Sequence, residues 1–224
     1  KKNYKEGIGL CYSSGSFFYK EGESRFTYYS KKYAGVNAET GESMWYKNVY
    51  ETDANGQYIY YNNNNQVVDD NYEGSKHRKV VGQESTTTYS DADYYLCGDV
   101  LPDFYGGFGT SVSWKGFDFS VDFQYQLGGQ VYDGTYAGLM SSSAGSAIHV
   151  DMQNAWSADN KNSNIPRWQY GDSYMSSASD RFLISASYLT LSNITLGYTL
   201  PKSWLRSLGL QSVRVYGEIG RAHV

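Results

Sequence analysis

From Phe117 to Leu127 the chain alternates without a break. Phe117, Phe119, Val121, Phe123, Tyr125 and Leu127 are apolar, and Asp118, Ser120, Asp122, Gln124 and Gln126 between them are polar. Period 2 places each set on its own face of a β-strand. The preceding residues do the same, Phe108, Thr110, Val112 and Trp114 alternating with Gly109, Ser111, Ser113 and Lys115. Lys115-Gly116 between the runs predicts a two-residue hairpin turn. That turn sets Trp114 opposite Phe117, then Val112 opposite Phe119, Thr110 opposite Val121 and Phe108 opposite Phe123. A one-residue slip would mix the two faces, so the register is specified.

A second β region is predicted from Phe182 to Leu200. Ile194, Leu196, Tyr198 and Leu200 share one parity, whereas Leu189 and Leu191 carry the other. A β-bulge near Ser192-Asn193 reconciles them. Pro201 ends the strand, Lys202 to Gly209 forms a short connection, and Val213 and Val215 begin another strand. Weaker Tyr-rich strands are expected over Ser24 to Tyr33 and Glu42 to Tyr50, with a turn-like stretch from Ala34 to Gly41. Gly129 to Arg181 and much of Asp53 to Tyr95 show no alternation and read as long loops. Long connections alternating with tight turns describe a transmembrane β-barrel with extracellular loops opposite periplasmic turns. The predicted fold is all-β, a partial antiparallel barrel of this kind.

Composition narrows the function. Among 224 residues there are 24 Tyr and 24 Gly but only 3 Pro, and aromatics reach 17%, which suits strands and polar loops better than helices. The net charge of −4 argues against nucleic acid as a partner, since phosphate binding requires a basic surface. No run approaches 18 apolar residues, and Lys1 to Lys5 has no apolar segment behind it, so neither a membrane helix nor a signal peptide is predicted. Cys11 and Cys97 read as unpaired thiols, and His77, His149 and His223 share no metal-ligand spacing. Asp118 and Asp122 lie about 13 Å apart along a strand, too far for a carboxylate pair. The acidic, Asn-rich run from Asn62 to Asn71 does not match a calcium loop. No catalytic residue, metal or cofactor is therefore expected.

Tyr33-Ala34-Gly35-Val36-Asn37-Ala38-Glu39-Thr40-Gly41 resembles the AGV(D/N)-x-(E/D)-TG signature of SusC/RagA-type TonB-linked outer membrane proteins. Asp99 to Gly107 is similar to their LPxFYGG segment. Lys115 to Ser120, Gln126 to Asp133, and Ser187 through Pro201 are similar to later family landmarks, in the family's order. The resemblance implies a C-terminal part of a large barrel that imports oligosaccharides or peptides. It also implies outer-membrane lipid around the barrel, a SusD-type surface lipoprotein as lid, and a TonB complex engaged through an N-terminal region outside this chain. Asp118, Ser120, Asp122, Gln124 and Gln126 are then candidates to face the lumen. Trp156, Trp168, Tyr170 and Tyr174, with Asn160, Asn162 and Asn164, are candidate recognition residues of the loops. Residues 1–217 are assigned to the barrel. Glu218 to Val224 is expected to break the last strand, and its sequence matches one reading frame of a common sequencing adapter, so 218–224 is expected to be a non-native tail. The alternative is a secreted carbohydrate-binding β-sandwich, which would need a second sheet to cover the apolar face.

Overall fold

The computed structural model describes residues 3–5, 9–20, 22–74, 76–141, 145–172, 174–206 and 209–223; side chains are described for residues 15–220 within these stretches. The side chain of Cys11 and the final Val224 lie outside them. The chain divides into two compact units, residues 1–100 with 131–184, and residues 101–130 with 185–224.

The first unit contains Asn3–Lys5 (β1), Gly9–Ser14 (β2), Phe17–Lys20 (β3), Thr27–Lys31 (β4), Tyr33–Val36 (β5) and Ser43–Tyr50 (β6). It continues through Tyr60–Asn62 (β7), Val67–Val68 (β8), Lys76–Arg78 (β9), Val80–Thr86 (β10) and Tyr94–Asp99 (β11). Antiparallel pairing gives the sheets β1-β2-β3-β4-β11, β10-β6-β5 and β8-β7-β9. The second unit is built on one antiparallel sheet. Its strands are Phe104–Trp114 (β12), Phe117–Leu127 (β13), Tyr188–Thr199 (β16) and Arg214–His223 (β17), in the order β12-β13-β16-β17. Gln130–Tyr132 (β14) pairs with Leu183–Ser185 (β15).

The predicted hairpin is observed residue for residue, from Trp114 opposite Phe117 to Phe108 opposite Phe123. Its turn uses positive φ at both central positions, 48° at Lys115 and 91° at Gly116, the geometry that matches strand twist. A Cβ on Gly116 would lie 2.8 Å from the Thr199 carbonyl oxygen, so this position needs glycine for space as well as for its dihedral. The bulge is where the parity change put it: Asp122 pairs Asn193 and Phe123 pairs Leu191, leaving Ser192 without a partner in the ladder. The strand ends at Thr199; Pro201, with no N–H to donate, follows one residue later, and Lys202–Leu205 forms a one-turn helix.

Four expectations are corrected. β17 does not break at Glu218 but pairs with β16 as far as His223. Ile219 falls opposite Ile194 because it keeps the parity of Val215, so the alternation carries on into 218–220. The stretch from Ala34 to Gly41 begins as strand, the turn occupying only its second half. Gly129 to Arg181 is not an open loop. It contains helix Gly134–Leu139 (α1) and two 3-10 turns, Val150–Asn154 and Asp180–Phe182. Ala137, Met140, Met152, Met175 and Phe182 form a buried cluster there, with Tyr132, Tyr136 and Ile165 against it. These contributors are 3 to 23 residues apart with no common period, which is why alternation did not reveal them. Asp53 to Tyr95 likewise holds four strands, the start of a fifth and a 3-10 turn.

Candidate functional site

In the second unit the ladder sorts the side chains into rows. Trp114–Phe117–Tyr198–Val215, Val112–Phe119–Leu196–Gly217 and Thr110–Val121–Ile194–Ile219 cross one face. Phe108, Val112, Trp114, Phe119 and Leu196 are exposed on it, although four strands hold them in a continuous apolar surface. Thr110 is exposed as well, whereas Val121 and Phe123 are half-buried by their neighbours. Phe108 stacks on Phe123 with ring centroids 5.1 Å apart. A surface of this kind is stable next to lipid and costly next to water.

The opposite face carries all five polar candidates of β13. Ser120 lies between Ser111 and Thr195, and Gln124 lies between Gly107 and Thr190. Gln126 donates from Nε2 to the Ala186 carbonyl at 3.1 Å, so it holds the strand end rather than projecting freely. Asp118 accepts a two-pronged bond from Arg214 of β17, Nε to Oδ1 at 3.1 Å and Nη2 to Oδ2. That pair spans an intervening strand, and it does so over Gly197, where a Cβ would lie 2.5 Å from Asp118 Oδ2. Asp122 lies over Gly109 in the same manner. Facing glycines thus let two carboxylates lie along the wall. The sequence held this signal for Gly109, which falls opposite Asp122 in the predicted hairpin register, whereas the pairing of Asp118 with Gly197 emerges only in the structure.

In the first unit the motif Tyr33 to Gly41 is a structural latch. Asn37 Oδ1 accepts from the amides of Glu39 and Thr40, and Asn37 O accepts from Gly41 N at 2.8 Å. Gly41, at φ 73°, has the Trp156 ring lying on its bare Cα, and Trp156 donates from Nε1 to Ala38 O at 3.0 Å. Arg167 closes the other side, bonding Thr40 O at 3.0 Å, Glu42 at 3.3 Å and Asp172 at 3.3 Å. Tyr33 N donates to Asp180 Oδ1 at 2.7 Å, and burial pushes the Asp180 carboxyl above its ordinary range. Arg167, Asp172 and Asp180 were not singled out from sequence, because a charged residue in an aperiodic stretch carries no pattern of its own.

The four loop candidates separate into two kinds. Trp156 and Tyr174 are packing residues: Tyr174 stacks on the buried Trp45 at 6.1 Å, and its carbonyl accepts from Ser43 Oγ. Burial, then Glu42, pushes the Tyr174 phenol upward. Trp168 and Tyr170 are exposed, at 51% and 74%. Tyr170 and Tyr174 line a depression of about 290 Å³ with Arg167 and Asp172, and Trp168 is not part of its lining. Cys97 is a free thiol. Among the described residues no cluster of His, Cys, Asp or Glu is placed to hold a metal ion, and no helix is long and apolar enough to cross a membrane.

Comparison with known proteins gives these features a context. No family model matches the chain. It is 39% identical over 127 residues to TonB-dependent receptor P3 of Formosa agariphila, covering 57% of this chain and 12% of that protein. TonB-dependent receptor P39 of the same organism is 27% identical over 217 residues, covering 88% and 21%. TonB-dependent receptor SusC of Bacteroides thetaiotaomicron is 28% identical over 151 residues, covering 67% and 14%. The chain therefore matches about a fifth or less of these relatives' lengths. In fold it is similar to the RagAB peptide transporter, with a TM-score of 0.60 and 23% identity over 92% of this chain and 20% of that one. The relatives are receptors and transporters of the outer membrane rather than enzymes. With the apolar sheet face and the ordered motifs, these likenesses identify the chain as a stretch of a SusC/RagA-like TonB-dependent receptor of the outer membrane.

Proposed function

We propose that this chain supplies wall strands and outer loops to an importer that takes up oligosaccharide or peptide nutrients. In this reading it works with a SusD-type surface lipoprotein and draws energy from a TonB complex. The observation that carries it is the β12-β13-β16-β17 sheet, whose one face is apolar and exposed across four strands while the other is polar. A β-sandwich would cover that face with a second sheet, but the unit holding these strands is built on one.

The polar row from Asp118 to Gln126 then faces the water-filled lumen or the plug. Trp114 and Phe117 stand in the aromatic girdle beside the Lys115-Gly116 turn at the periplasmic end. Residues 129–181 lie outside the cell, with Trp168 and Tyr170 free to meet lipoprotein or nutrient. An epitope inserted at the exposed Ser146 of the intact receptor tests this orientation. Antibody labelling of intact cells is the expected result; labelling only after the outer membrane is opened would reverse the topology. Growth on the imported nutrient should also require TonB.

A further inference from the structure

We infer that a cleft of about 510 Å³ beside β6 is a binding subsite for one or two residues of an uncharged sugar chain. The inference rests on the uptake reading and names its nutrient class. The cleft lies wholly in the first unit, and its volume falls in the roughly 300–1,000 Å³ range of small-molecule sites.

Its floor is aromatic. The Tyr58 ring is 51% exposed and stands nearly perpendicular to Tyr50, with centroids 6.0 Å apart. The Arg78 guanidinium lies 4.0 Å from the Tyr50 ring centre and 5.0 Å from that of Tyr58, which fixes both rings. A half-exposed, immobilised ring offers the flat apolar surface on which the C–H face of a pyranose stacks.

Beside this platform a donor and an acceptor stand together. Asp93 covers the edge of β6, taking the Asn48 amide N–H on Oδ2 at 2.7 Å and donating its own N–H to Tyr46 O. The Asn48 side-chain oxygen accepts from the Tyr95 hydroxyl at 2.8 Å, and Asn48 and Asp93 both line the cleft. A hydroxyl both donates and accepts, and a carboxylate oxygen next to an amide NH₂ satisfies both at once. The charges of the lining nearly cancel: Lys47 and Arg78 stand against Glu84, Asp91 and Asp93, with Lys47 held by Glu84 at 2.7 Å. A charged peptide group or uronic acid would disturb that balance, whereas a neutral polyol would not.

The test uses the intact receptor, purified in detergent, against neutral oligosaccharides from starch, xylan, mannan, galactan and β-glucan. Acidic pectin oligosaccharides and a tryptic peptide mixture serve as competitors. At least one neutral series should bind, Tyr58→Ala should weaken it about tenfold or more at unchanged receptor level and melting temperature, and Tyr58→Phe should retain it. Absence of neutral-sugar binding, equal affinity in Tyr58→Ala, or Tyr58-dependent binding of the acidic or peptide probes would each overturn the inference. TonB-dependent growth is measured in the same strains. If growth persists while the binding test fails, the uptake reading stands without the cleft; if no TonB-dependent uptake is found, that reading fails itself.

Discussion

Replacing Gly41 with alanine attacks the latch at its most constrained atom. Gly41 has φ 73°, where an L side chain costs about 1–2 kcal/mol. The new Cβ would also enter the Trp156 ring and lie 2.9 Å from Arg167 Cβ, so the ring must move and its bond to Ala38 O must stretch. Overpacking of this kind costs about 1–3 kcal/mol, against which the stiffer unfolded chain returns under about 1 kcal/mol. The expected net loss is about 2–4 kcal/mol of local stability. Native-state proteolysis of residues 145–172 in the intact receptor reads that loss directly, because cleavage tracks the open population when closing is fast. Cleavage should accelerate about 30-fold to 1,000-fold. Gly22→Ala is the control, with φ 84° and open space around it, and should show only the dihedral cost. If Gly41→Ala is cleaved no faster than Gly22→Ala, or if adding Trp156→Ala does not relieve part of the effect, the latch is wrong.

Val121 lies four residues from the turn, about 13 Å along the strand and about 10 Å deep at a barrel tilt, near the centre of the apolar band. Val121→Arg should therefore cost about 2–4 kcal/mol in denaturant titrations of the receptor in vesicles, and Asp122→Asn little; equal damage from both would contradict the assigned faces. Burial raises the Asp180 carboxyl above its ordinary 3.8, so its folded form favours the proton. Its contribution is full below that ordinary value and is lost as pH rises through the raised one, so residues 145–172 should resist protease better below pH 3.8 than at neutral pH. Asp180→Asn keeps an acceptor for Tyr33 N and should flatten this difference. Residues 218–224 should prove foreign to the receptor gene when the source DNA is sequenced past codon 217, and codons continuing to an ordinary gene end would refute that.

The parts legible in the sequence are those where a single period governs. Phe117 to Leu127 must show one face to lipid and one to water, so parity alone gave the hairpin register, and the parity change at Ser192 gave the bulge. The first unit obeys no such rule. Met140, Met152, Met175 and Phe182 meet through turns and 3-10 segments, and Arg167 gains its meaning only when Thr40, Glu42 and Asp172 surround it. Composition pointed to Trp156, Trp168, Tyr170 and Tyr174 as a group, but it could not separate rings held by packing from rings left free. Tyr58 was passed over because its partners, Tyr50 and Arg78, approach from β6 and β9. The tail shows the converse: Ile219 keeps the parity of Val215, so the strand runs on through residues expected to break it.

The central claim is that this sheet is membrane wall, with its two faces assigned as above. Nitroxide labels placed singly at residues 119, 120, 121 and 122 of the intact receptor in lipid vesicles test it most directly. Oxygen, which concentrates in lipid, should relax the labels at 119 and 121, and a water-soluble nickel chelate those at 120 and 122. The inverse pattern, or four labels with equal accessibility to both reagents, would contradict the barrel-wall assignment.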